Sequence, residues 1–259
     1  MARRGSNKAL PPPLPPATRT VGQLVAESLR AYAQRFWVAL PLGLSVAVID
    51  LVAVRLSRVG SLLFVATWGA VLLTTAYAAA VLILERRRVP PGRFVLAGLA
   101  GVLAFLPFPF LATLFVIPAV AWLALVGLVV PVVLLEGRSI RAGFARAVEL
   151  ARADYVHALG SLCTLVLVYV LARLVLFFLL RGYSRTAAET AALISDVIVS
   201  PVLFLGAALL YADQVARVGS PPRSRRRGAD VHPAVEADHP GRADAEVESR
   251  PAPRGQPRR

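Results

Sequence analysis

The sequence predicts an all-α fold: a polytopic membrane helix bundle of about six transmembrane helices with two further amphipathic helices at the membrane surface. Three observations predict it. Aliphatic residues and Ala dominate, charged residues are scarce between Phe36 and Ala212, and the apolar residues come in long blocks separated by short Arg-bearing stretches. A hydrocarbon core of ~30 Å needs ~20 apolar helical residues, because each residue advances ~1.5 Å along the axis. Several blocks reach that length.

Residues 1–19 are Pro-rich and basic, with too little apolar content for a core, and are expected to form a disordered arm. Pro11 to Pro16 interrupt any signal-like run, so the first span is expected to be retained. The membrane domain is expected over residues 20–218. Thr20 and Gln23 have the spacing of a capping box, and Val21, Leu24, Val25, Leu29, Tyr32 and Phe36 recur at helical spacing, with Glu27, Arg30, Gln34 and Arg35 on other faces. Residues 20–35 therefore read as an interfacial helix.

The first span is expected near 36–54, with Pro41 close to its start, where a missing amide is best tolerated. The second, near 62–84, stops at Glu85-Arg86-Arg87-Arg88, a run too costly to place in hydrocarbon. Its Gly69, Ala70, Ala76 and Ala80 suit close helix packing. The apolar stretch 94–135 is too long for one crossing, and Pro107 and Pro109 predict a hairpin of spans 94–110 and 112–135 with a chargeless turn.

Residues 138–154 place Ile140, Phe144, Val148, Ala151 and Tyr155 on one stripe and Arg138, Arg141, Glu149 and Arg152 on another face, the pattern of a second interfacial helix. Span five follows near 158–180. Thr186 and Glu189 repeat the capping-box spacing ahead of span six, near 191–212, which Pro201 is expected to kink. Residues 219–259 lack apolar periodicity and are expected to form a disordered cytoplasmic tail.

The formal net charge of +14 does not signal a nucleic-acid partner, because the Arg residues lie between and outside the apolar blocks with no base-stacking aromatics among them. They encode orientation instead. The N-terminal arm, the Arg86 to Arg93 loop, the Arg138 to Arg152 helix and the tail share one side of a six-span bundle. The other side holds only Arg55 and Arg58, then Arg181 and Arg185. The positive-inside rule expects both termini in the cytoplasm. The partners expected are the lipid bilayer, anionic lipid headgroups at ~1 kcal/mol per surface Arg, and membrane or cytoplasmic proteins. Arg-for-Lys usage and Ala richness point to a bacterial inner membrane.

Candidate chemistry is thin. The single Cys163 sits in an apolar block, His157 opens span five, and His232 and His239 belong to the tail. No spacing resembles a metal site, no Gly-rich turn suits a nucleotide, and no nucleophile elbow occurs, so no catalytic residue, metal or cofactor is expected. Charges inside spans are better clues, since each costs at least ~2.5 kcal/mol at the bilayer centre on insertion scales. Arg173 in span five and Asp196 in span six lie at matching depths below the outer helix ends and are expected to pair. Asp50, near the outer end of span one, reads as a solvated helix-end carboxylate.

Three short motifs occur in order: Thr20 to Arg30 leading through Tyr32 to Trp37, then Leu135-Glu136-Gly137 with the basic helix through Arg146 and Glu149-Leu150, then Leu210-Tyr211-Ala212-Asp213. Together they resemble the multi-pass proteins grouped as the glycerophosphoryl diester phosphodiesterase membrane-domain family, over roughly 20–218. The resemblance departs at Arg146-Ala147-Val148, where relatives usually show Arg-Ser-Trp, and at Val215, where a basic residue is common. It implies a membrane architecture, no phosphodiesterase activity, and interaction roles for Glu136, Arg146, Glu149, Tyr211 and Asp213. The expected function is a non-enzymatic scaffold, regulatory or bilayer-sensing component. The alternative is a small transporter or exporter subunit, which would need a polar path reaching Arg173 and Asp196.

Overall fold

The computed structural model describes residues 15–86, 88–180, 182 and 184–219. The arm before residue 15, the tail after Gly219, His232, His239 and Arg181 lie outside the described residues.

Regular structure among the described residues is helical throughout. After a single 3-10 turn at Pro16–Thr18, we number the helices α1 (Val21–Gln34), α2 (Phe36–Ala53), α3 (Arg58–Glu85), α4 (Pro91–Leu114), α5 (Val116–Glu136), α6 (Ile140–Ala153), α7 (Tyr155–Leu180) and α8 (Arg185–Val218). Six of them, α2 to α5, α7 and α8, are long and apolar enough to cross a membrane. This is a multi-pass integral membrane protein.

Local sequence sets the helix ends. Thr20 and Gln23 form the full capping box of α1, the Thr20 side chain accepting from the Gln23 amide and the Gln23 side chain from the Thr20 amide. Ser57 and Ser139 cap α3 and α6 with the side-chain oxygen alone, accepting from the Gly60 and Ala142 amides. Helix α3 ends on Arg86 in the left-handed conformation, and the guanidinium of Arg35 donates to its Ile83 carbonyl at 2.6 Å. A cation on the last carbonyls of a helix satisfies groups that have no partner within it. Burial, and then the nearby Arg86, lower the Arg35 pKa.

Several expected boundaries move. Pro107 and Pro109 do not make the hairpin turn. The helix bends at Leu106–Pro107 and resumes at Phe108, and the reversal falls at Phe115, which is extended at φ −159°, ψ 150°. Proline at the first turn of a helical segment loses no intrahelical bond, so α4 continues past both. Trp122 on α5 donates to the Ala104 carbonyl of α4 at 2.8 Å and ties the hairpin together. Helix α8 starts at Arg185 with Ser184 as its cap, not Thr186, and runs 34 residues through Pro201, well past Ala212. Helix α3 begins at Arg58, four residues before the expected start.

Helix α8 is the packing centre, lying against α1, α2, α3, α6 and α7. Gly43 lets α2 approach it: a Cβ there would run into the Val197 backbone. The valines and leucines of α5 from Val129 to Leu134, and the alanines 70, 76 and 80 of α3, are buried in the shared core. The outer half of α7 differs. Leu167, Leu171, Val175, Phe178 and Leu179 are exposed, a surface suited to lipid.

The two amphipathic helices dock on the bundle rather than standing apart from it. Leu24, Ser28 and Tyr32 of α1 are buried against α7 and α8, while Leu29, placed on the apolar stripe by spacing alone, is exposed. In α6 the buried stripe is Gly143, Ala147, Leu150 and Ala151, rotated from the expected one, with Ile140, Phe144 and Val148 half-buried. Small residues face the bundle because they allow α6 to lie close on α5, where Gly143 meets Val133. We call this end of the molecule basal, and the end bearing the α2–α3 and α7–α8 connections distal.

Candidate functional site

The distal half contains one charge network. Arg173 stands seven residues from the end of α7 at Leu180, and Asp196 stands seven residues from Glu189, where the apolar part of α8 begins. Each is about 10 Å below the end of its apolar span, so the depths match. The Arg173 Nη1 donates to Asp196 Oδ1 at 3.0 Å. The structure therefore brings the two expected partners together.

Two further residues join them. Tyr169, one helical turn before Arg173 and so on the same face, donates its hydroxyl to Asp196 Oδ1 at 2.6 Å and accepts from Arg173 Nη1 at 3.1 Å. Asp50 takes the other arm of the guanidinium, Nη2. This corrects the reading of Asp50 as a solvated helix-end group: it points across to α7 because a guanidinium in an apolar surround offers more than interfacial water does. Asp196 is fully buried, and its Oδ2 has no hydrogen-bond partner. Arg173 and Asp50 keep 32% and 35% of their side-chain surface exposed.

That exposure opens onto a cleft of about 580 Å³, floored by Glu189, Ala192 and Leu193 of α8 and walled by α2 and α7. Behind the network lies a second, mainly apolar cavity of about 270 Å³ lined by residues of all six spans, with Tyr169 and Ser200 at its distal edge and Tyr77 and Leu210 towards the basal end. The network stands between the cleft and this cavity.

Two polar networks occupy the basal end. In the first, Glu136 sits at the end of α5, before Gly137 in the left-handed conformation at φ 70°, with the Arg93 guanidinium packed beneath that glycine. Tyr211 donates its hydroxyl to Glu136 Oε1 at 3.1 Å, Arg138 donates to Oε2 at 2.7 Å, and Arg146 lies 3.7 Å from Oε2. Arg146 also holds Glu149 at 2.8 Å, a hydrogen bond that raises the Arg146 pKa. Four of the five motif residues thus form one connected chain.

The fifth, Asp213, belongs to the other network. It is fully buried, accepts from Arg19 Nη1 at 2.7 Å and faces His157 Nε2 at 3.8 Å. Arg217 binds Asp154 Oδ2 at 2.5 Å and the Arg19 carbonyl at 2.6 Å, and Gln214 donates to the Asp154 carbonyl at 3.2 Å. Arg19, assigned to the disordered arm by composition, is 5% exposed and fastened to α8. Asp154, at the break between α6 and α7, ties the second amphipathic helix to the same residues.

Sequence reasoning missed Asp50, Tyr169, Arg19, Asp154 and Arg217. The Tyr169–Arg173 and Asp213–Arg217 spacings, both i,i+4, were available signals. Nothing local identifies Asp50 or Arg19, whose partners lie 123 and 194 residues away. Cys163 is half-buried. Among the described residues no group of three or more His, Cys, Asp or Glu is placed to hold a metal ion. Comparison with protein-family models, with curated proteins and with solved structures finds no match.

Proposed function

We propose that this protein is a non-catalytic regulatory or scaffold component of its membrane, in which α8 links a site in the distal leaflet to a docking platform at the basal end. The observation that carries the reading is that α8 alone supplies buried carboxylates to networks at both ends, Asp196 and, 17 residues further on, Asp213. They are about 25 Å apart along one helix. A ligand that moves Asp196 would act on the same continuous helix that holds Arg19, His157 and, through Tyr211, Glu136. The basal end carries Arg86, Arg88, Arg93, Arg138, Arg141 and Arg152, so on the positive-inside rule it faces the cytoplasm, where α1, α6 and the basic flanks would meet anionic lipid or a protein partner. The likeness of residues 20–218 to the phosphodiesterase membrane-domain family is part of the same proposal.

The coupling is tested in the full chain, reconstituted in bilayer discs, by trypsin cleavage after Arg19. Replacing Arg173 with Gln is expected to accelerate that cleavage although position 173 contacts nothing basal. Unchanged cleavage in a monodisperse Arg173→Gln protein would overturn the coupling.

The transporter reading draws its support from the distal cleft, which reaches Arg173. Against it stand the largely apolar lining of the central cavity and the tight packing of Val129 to Leu134, which offer an ion no charged partner there.

A further inference from the structure

We propose that the distal cleft binds a single phospholipid bearing a primary ammonium, with its phosphoethanolamine headgroup seated against Asp50 and Arg55. The proposal deepens the reading of the distal site by naming its ligand, and its test is read out independently of basal coupling.

Charge comes first. One guanidinium, Arg173, is shared between two carboxylates, Asp50 and Asp196. Asp196 is fully buried, with Arg173 and Tyr169 on one oxygen and no hydrogen-bond partner on the other. The wall of the cleft adds Asp50 and Glu189 against Arg55 and Arg173, so acids and bases are mixed there. An anionic headgroup would match the two arginines alone and set its charge against the two acids. A headgroup with both a cation and a phosphate matches both signs: the ammonium goes to Asp50, where it also screens Asp196 behind it, and the phosphate to the exposed Arg55.

Shape and access agree. The cleft, about 580 Å³, lies in the range of small-molecule sites, ~300–1,000 Å³. Its rim is apolar and exposed at Leu51, Val54, Val170, Leu174 and Phe177. Those side chains belong to α2 and α7, two of the apolar spans. A molecule can therefore enter sideways from the bilayer, lay its chains along the rim and turn its headgroup inward. The bilayer is the source of the ligand. A primary ammonium also has N–H groups to donate to a carboxylate, which a trimethylated ammonium lacks.

The test uses the full chain in discs of phosphatidylcholine doped equally with phosphatidylethanolamine and phosphatidylglycerol, with retained lipid counted by native mass spectrometry. Retention of phosphatidylethanolamine is expected to exceed that of each of the other two by about tenfold, and Asp50→Asn is expected to abolish the preference. Equal retention of the three, or a preference for phosphatidylglycerol, would overturn the proposal, as would a preference that survives Asp50→Asn. Where Asp50→Asn fails to fold, Arg55→Gln at the exposed rim serves instead, with a several-fold loss of phosphatidylethanolamine expected and no change counting against the phosphate contact. Selective retention without any effect of Arg173→Gln on cleavage at Arg19 would uphold the site and reject the coupling.

Discussion

The anchorage of the segment before α1 gives the sharpest quantitative test. Asp213 is fully buried and the Arg19 side chain is 6% exposed, with 2.7 Å between them. Asp213→Asn keeps the shape and removes the charge that Arg19 and His157 both face. Removing one partner of a buried pair costs ~3–5 kcal/mol, because the remaining charge loses its compensation in a poorly hydrated site. Here the segment can escape that cost by undocking, since its other anchors on α8 include the bond from Arg217 to the Arg19 carbonyl and the packing of Pro16–Thr18, neither of which needs the Asp213 charge. The penalty should therefore appear as local opening rather than global unfolding. With ~1.4 kcal/mol per factor of ten, even the lower figure raises the open population by about a hundredfold. Trypsin cleavage after Arg19 reports that population when closing outpaces cleavage. The assay is the rate of appearance of the fragment beginning at Thr20, by mass spectrometry, from protein that remains monodisperse in mild detergent. A rate within about threefold of wild type would refute the view that this ion pair holds the segment down.

Three further outcomes follow from the same geometry. Arg173→Asp and Asp196→Arg are each expected to lower expression strongly, at ~3–5 kcal/mol for a broken buried pair. The double swap should recover only in an Asp50→Asn background, since a carboxylate at position 173 otherwise faces Asp50; recovery without it would remove Asp50 from the network. Gly43→Ala is expected to lower the thermal midpoint in detergent through ~1–3 kcal/mol of overpacking against Val197, with Gly22→Ala, where a Cβ meets open space, as the neutral control; equal midpoints would argue against the α2–α8 contact. A reporter fused after Gly219 is expected to be active in the cytoplasm, and activity on the opposite side would reject the proposed orientation.

Which features could be read from the sequence depended on how far apart the interacting residues lie along the chain. The six crossings follow from segment hydropathy alone, and the α1 capping box needs only residues three apart. The prolines at 107 and 109 misled because a proline breaks a helix only where it removes a bond or clashes with a preceding carbonyl, and at a helical first turn it does neither. The inward face of α1 was read correctly except at Leu29, whereas the buried stripe of α6 is rotated towards Gly143, Ala147 and Leu150. Periodicity ranks residues by hydrophobicity, whereas a tight helix contact selects small ones such as Gly143 and Ala147.

At the candidate site, Arg173 and Asp196 were legible because a charge inside an apolar run is conspicuous and the α7–α8 hairpin fixes their relative depth. Asp50 comes from another helix, and nothing in its neighbourhood distinguishes it from a solvated carboxylate. Arg19 sits in a stretch whose composition is that of a disordered arm, yet one buried acid distant in the chain holds it in place.

The sequence by itself determined the membrane spans, their number and the position of the intramembrane charges, because transfer of a segment into hydrocarbon depends on its own composition. The tertiary structure decided which charges share a guanidinium, that a cleft opens beside them, and that one helix serves both ends. Those depend on which helix faces lie together in the packed bundle, and hydropathy, summed over one segment at a time, carries no information about that.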